Sequence, residues 1–318
     1  MHTPTLNLST TAALLALLAA LPLHSAQAAD PAAPATPPAT APAAAAPGVT
    51  AAMLQRDAAT ANKGFSYFIG LAHQDVRYSE TGGSLPFKSS AHSGSALLVT
   101  GALFAVNQQL LVSLDAETTF YPGQATERWQ ATGDSFNGQA LSNRELQHNG
   151  FGLSHSRTQM LGHYRVQDQF FGLAGLALHT QAFRRYGFVP GPDNAVNTPP
   201  GTTVDESTAE VLLNLGLGLE TEQVRDRPEH YGLRATVGVP VWRRLRNTNA
   251  PQLVFDGRNG YDLGLEGRYS RALQHNIHLG VWGQWLLSQR GRQTLGALEM
   301  PTARTNSLSY GLELLWKL

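Results

Sequence analysis

From residue 64 to the end of the chain, apolar residues recur at every second position in one segment after another. Side chains on an extended strand point alternately to its two faces, so a period of two marks strands that meet two different surroundings. Leu110, Val112, Leu114, Ala116, Thr118 and Phe120 share one face, with Ser113, Asp115 and Glu117 opposite. Ala209, Val211, Leu213, Leu215, Leu217 and Leu219 oppose Glu210, Asn214, Gly216, Gly218 and Glu220. Tyr231, Leu233, Ala235, Val237, Val239 and Val241 stand against Arg234, Thr236, Gly238 and Arg244, and Ile277, Leu279, Val281, Trp285 and Leu287 against His278, Gln284 and Ser288. The pattern predicts ten strands, at 65–79, 93–106, 110–121, 154–166, 170–188, 207–222, 230–246, 258–272, 277–290 and 305–318.

The connections alternate in length. Those at 107–109, 167–169, 223–229 and 274–276 are short. Those at 80–92, 122–153, 189–206, 247–257 and 291–304 are long and rich in Gly, Pro, Asn and Ser. Short turns on one side and long loops on the other are the asymmetry of a membrane barrel, whose apolar face looks out to lipid and polar face into the lumen. The fold class expected is therefore all-β: an antiparallel transmembrane β-barrel of ten strands, over residues 64–318. Eight or twelve strands are the alternatives, twelve if 124–131 and 139–147 also crossed the membrane. The loop 122–153, with Trp129, Phe136 and Phe151, is read as a lid, an extension of the flanking strands or a binding surface. Aromatics fall towards the strand ends, with Phe65, Tyr67, Tyr164, Phe170, Tyr231, Tyr269 and Trp316 at the short-turn side.

Composition changes this picture mainly at the N-terminus. The apolar run from Ala12 to Leu23 precedes Ala26-Gln27-Ala28, so residues 1–28 read as a cleaved export signal. Residues 29–63 are an Ala/Pro-rich linker, a disordered periplasmic leader without the means to build a core. The chain is 42% hydrophobic and 14% charged, with zero formal net charge, which argues against nucleic acid, and it has no cysteine.

The last segment resembles the assembly signal of bacterial outer-membrane proteins. Its alternating Tyr310, Leu312, Leu314, Trp316 and Leu318 fit that signal in spacing, with Leu318 where Phe is usual. The resemblance extends to the barrel as an architecture. It implies a Gram-negative outer-membrane location, with the outer-membrane insertion machinery, membrane lipid and lipopolysaccharide as partners. Ten-stranded barrels of this kind include the omptin proteases, which activate water with paired acids and a His–Asp couple near the outer rim. Asp115, Glu117, His155 and His179 match those groups in residue type, but without the Asp-x-Asp and Asp-x-His spacing. His92-Ser93 and Ser154-His155-Ser156 are adjacent in sequence only and face opposite sides.

The polar faces place Asp115, Glu117, Arg157, Arg165, Glu210, Glu220, Arg234, Asp262, Glu266 and Arg268 in one lumen, joined by Glu313, His155, His163, His179 and His278. Charges in so narrow an interior must pair or be hydrated. Arg184, Arg185, Arg243, Arg244, Arg246, Arg258, Arg290, Arg292 and Arg304 map to outer strand ends or loops, and guanidinium suits the phosphates of lipopolysaccharide. Local histidine spacing offers no metal site, and no cofactor is expected. The functional expectation is a structural or surface-interaction barrel, with a narrow pore as one form of it. The alternative is an omptin-like or lipid-modifying hydrolase at the outer mouth.

Overall fold

An amphipathic strand needs hydrocarbon on one face, water or polar partners on the other, and a hydrogen-bond partner along both edges. The computed structural model describes residues 65–317 apart from 84, 108, 222–227, 275 and 296–297, and it meets these needs with a ring. The expected signal and linker, and Leu318 of the assembly signal, lie outside the described residues. The strands are β1 (Ser66–Thr81), β2 (Phe87–Ala105), β3 (Leu110–Tyr121), β4 (Gln124–Ala131), β5 (Ser135–Phe136), β6 (Gln139–Ala140), β7 (Glu145–Gln167) and β8 (Phe170–Pro190), then β9 (Thr203–Glu220), β10 (Glu229–Asn247), β11 (Gly260–Gln274), β12 (Ile277–Arg290), β13 (Gln293–Leu295), β14 (Leu298–Met300) and β15 (Thr302–Lys317). Ten of them, β1 to β3, β7 to β12 and β15, form an antiparallel meander, and β1 pairs with both β15 and β2 to close the ring.

β4 is not a further stave. It continues β3 beyond Pro122 and Gly123, pairing Arg128–Ala131 with Phe87–Ser90 of β2 and Gln124–Gln130 with β7. The 122–153 segment thus lengthens its flanking strands, and the twelve-strand alternative falls away. For the same reason β2 and β7 begin at Phe87 and Glu145, well before the expected 93 and 154. Above the apolar belt the ladder continues in water, so the hydropathy alternation fades while the hydrogen bonding does not. β5 and β6 form a small hairpin whose Asn137 and Gly138 both have positive φ, 48° and 82°, the backbone that a two-residue turn of this hand requires.

The outer face is apolar in a band, where Leu217 and Val166 are each 70% exposed and Leu312 is 60% exposed. Tyr67 and Trp316 stack at 5.0 Å on neighbouring strands at its short-turn edge. Above the band, outward positions on β1 turn polar at His73, Asp75, Arg77 and Ser79.

One irregularity reverses facing. β10 sets Pro240 opposite Leu212 and Trp242 opposite Val211, leaving Val241 as an extra residue. Odd positions from Tyr231 to Val241 face outward, whereas Arg243 and Leu245 beyond the bulge face inward. Arg244, expected on the polar lumen face, is exposed for this reason, and Arg243 is buried.

Candidate functional site

The lumen is filled by layers of charge between apolar clusters. Nearest the short turns, Leu103, Leu111, Leu161, Phe171 and Leu173 form an apolar floor, over which Arg165 lies half-buried with its guanidinium 5.5 Å from the Phe171 ring centre. Above it Arg234 reaches Asp115 at 2.8 Å and Glu220 at 3.0 Å. Arg268 holds Glu266 at 2.7 Å and Glu313 at 3.1 Å, with its guanidinium 3.9 Å from the centre of the Phe68 ring. His163 Nδ1 lies 3.4 Å from Glu220, and its Nε2 is 2.9 Å from the Ser113 hydroxyl.

The middle layer gathers His155, His179, Glu117, Glu210, Asp262, Arg157 and Arg243, all buried. His179 faces Glu210 directly across β8 and β9, and Glu210 faces Arg243 across β9 and β10. His179 Nδ1 is 3.2 Å from Glu210 Oε1 and 3.8 Å from Asp262 Oδ2. Arg243 grips the other oxygen, Oε2 of Glu210, at 2.7 Å and donates to the carbonyls of Gly257 and Asn259. His155 Nε2 lies 3.7 Å from Glu117, and its ring meets that of His179 edge-on.

The upper layer stands above the apolar belt. Arg185 donates to both oxygens of Glu127, at 2.7 and 3.3 Å, and lies 3.2 Å from Glu80 and 3.8 Å from Glu206. Arg290 pairs with Glu206 at 2.7 Å and approaches Glu80 at 3.7 Å, while the Tyr78 hydroxyl donates to Glu80. Aromatic faces of Tyr78, Trp129 and Phe151 surround the Arg185 guanidinium. Cavities between these layers hold about 10, 20 and 10 Å³, each room for about one water.

These placements revise the expected sites. The expected lipopolysaccharide rim loses Arg185, Arg243 and Arg290, which are buried against carboxylates and so face the lumen and not lipid. Arg184, Arg244, Arg246, Arg258, Arg292 and Arg304 are exposed, with Arg184 3.8 Å from Asp205 and Arg292 4.0 Å from Glu299. Glu80, Glu127 and Glu206 were missed. The parity of Arg185 with His179, and of Arg290 with His278, was the available signal. The candidate catalytic groups are divided between layers: Asp115 is bound to arginine, Glu117 lies by His155, and His179 lies by Glu210 and Asp262. None of the four is open to a macromolecular substrate. One acid–His pair is exposed on the outer wall, His92 with Asp75 at 2.8 Å, and another, His148 with Glu145 at 3.0 Å, is half-buried.

The outer wall also carries cations. Arg77, Lys88, Arg128 and Arg304 project outward from β1, β2, β4 and β15 around a cleft of about 530 Å³, and none has an ion pair with a described residue. Asp193, in the loop after β8, accepts hydrogen bonds from the Ser142 hydroxyl and the Ser142 and Asn143 amides, which hold its carboxyl below the usual carboxylate range.

No protein-family model and no curated protein matches the chain. Among solved structures, the outer membrane protease OmpT from Escherichia coli is similar with a TM-score of 0.58 and 11% identity, over 81% of this chain and 97% of that one. OprG from Pseudomonas aeruginosa matches at 9% identity over 81% of this chain and 98% of that one, with a TM-score of 0.32. Identity this low speaks for fold and not for activity. The closed ring of ten antiparallel strands, apolar outside and charged within, is the fold of a bacterial outer-membrane β-barrel protein.

Proposed function

We propose that this is a closed, non-enzymatic outer-membrane barrel, exported with removal of residues 1–28, whose working parts are its outer extension and outer wall. The observation that carries this reading is the lumen itself. Three layers of guanidinium and carboxylate span it, and three spaces between them each have room for about one water. Uncompensated charge in so dry a space would be costly, so these pairs brace the wall instead of lining a channel. Planar-bilayer recording of the refolded barrel, with folding checked by heat-modifiable gel mobility, should show no conductance steps. Reproducible steps from folded protein would overturn the closed-barrel reading.

The partner of the outer wall is phosphorylated lipid of the outer leaflet. Arg77, Lys88, Arg128 and Arg304 stand just above the apolar belt, where anionic headgroups lie, and guanidinium binds phosphate in bidentate fashion. Replacing all four with Gln should lower lipopolysaccharide retained through purification by severalfold. Unchanged retention would reject this wall as the contact.

A hydrolase reading has one specific observation in its favour. His92 is oriented by Asp75 on the exposed wall, and Ser90 lies two residues away on the same face, beside the cationic cleft. If it holds, Ser90→Ala and His92→Gln should each abolish release of fatty acid from outer-leaflet lipid. Absence of release by the unmodified protein would dismiss it.

A further inference from the structure

We propose that His179, Glu210 and Asp262 form a binding site for a divalent transition-metal ion of zinc's class. The three side chains come from β8, β9 and β11 and are 1%, 4% and 3% exposed. One donor atom from each lies within 4.8 Å of the others. An imidazole and two carboxylates are donor types that zinc accepts, and three protein donors leave a fourth position for water. Bonds of about 2.0–2.1 Å at tetrahedral angles put neighbouring donor atoms about 3.4 Å apart. The separations of His179 Nδ1 from Glu210 Oε1 and Asp262 Oδ2, 3.2 and 3.8 Å, bracket that figure.

The surroundings leave the donor atoms available. His179 Nδ1 and Asp262 Oδ2 are buried and make no aligned hydrogen bond. Arg243 takes Glu210 Oε2, which fixes the carboxylate while leaving Oε1 turned to the imidazole. Asn214 supplies an independent sign. It is fully buried with neither amide atom partnered, and it leans over Gly238, which pairs with Asn214 on one side and Asp262 on the other. A Cβ at Gly238 would lie 2.5 Å from Asn214 Oδ1 and 3.3 Å from Asp262 Cβ, so the glycine makes the space into which both polar side chains incline.

Charge points the same way. With neutral imidazoles this layer has the carboxylates Glu117, Glu210 and Asp262 against the guanidiniums Arg157 and Arg243, an excess of one negative charge. A divalent cation carrying a hydroxide in its fourth position would bring the layer to neutrality without a proton on a buried imidazole. Local spacing could not reveal the site, because its donors are separated by whole strands in the sequence.

The test uses tag-free full-length barrel, refolded in detergent with Zn²⁺, desalted and assayed for metal per folded chain. One zinc per barrel is expected, with affinity weakened by more than about tenfold in His179→Gln and Asp262→Asn and unchanged in His148→Gln. No zinc in folded wild type, or equal zinc in folded His179→Gln, would overturn the assignment. Should the variants fail to fold, Co²⁺ in the wild-type barrel decides. Visible bands of a four-coordinate nitrogen–oxygen site support it, and the spectrum of hydrated Co²⁺ rejects it.

Discussion

Arg185→Met tests whether the upper charge layer holds the barrel together. Arg185 is the cation bound to Glu127, a residue with no exposure whose other contact is the Asn149 amide at 3.1 Å. Glu206 and Glu80 would retain Arg290, at 2.7 and 3.7 Å. The loss therefore falls mainly on Glu127, left as a buried charge without a counter-charge. Removing one partner of a buried pair destabilises by about 3–5 kcal/mol, a factor of roughly 10² to 10⁴ in the unfolding constant. Urea titration of the refolded barrel, followed by tryptophan fluorescence, measures the change. Adding Glu127→Gln should restore most of the stability, since the charge disappears and the Asn149 contact can persist. A loss below about 1 kcal/mol, the scale of an exposed pair, would refute the reasoning by showing that water reaches this layer.

Two further outcomes are expected. The Asp193 clamp on residues 142 and 143 is lowered in pKa, so its contribution is full above the ordinary aspartate value of about 3.9. It is lost as pH falls through the depressed value, and amide exchange at Ser142 and Asn143 should accelerate only there; acceleration already at pH 6 would contradict the clamp. Gly238→Ala should lower stability by about 1–3 kcal/mol in the same urea assay, because its Cβ meets Asn214 and Asp262. A neutral result would mean that these side chains have room to move away.

Much of the wall was legible because its two solvents differ so sharply. β12 falls at 277–290 as expected, and β3 at 110–121, since lipid demands apolar residues at every second place. Where the outward face meets water and the inward face buries polar side chains such as Ser89, Glu127 and Asn149, hydropathy does not alternate, and the outer ends of β2 and β7 are not legible for that reason. Parity alone turns Arg185 and Arg290 inward, since both lie within the expected strands 170–188 and 277–290, but their place at the outer strand ends suggested the rim instead. Arg243 was hidden by the Val241 bulge, which no hydropathy pattern announces. The grouping of His179, Glu210 and Asp262 depends on register across four adjacent strands, and so on the closed three-dimensional sheet.

The upper layer also bears on how such a wall can be assembled. Arg185 on β8 reaches Glu80 on β1, and Arg290 on β12 reaches both Glu80 and Glu206 on β9. These partners are not hydrogen-bonded neighbours in the sheet; they meet across the lumen. A partly rolled sheet can therefore zip its backbone strand by strand while its ionic groups stay hydrated. The last seam, β1 against β15, is then also the moment of drying, when water leaves and the charges acquire one another. Sealing the seam and bracing the interior become a single event, so a barrel left one strand short lacks its internal struts as well as its final edge.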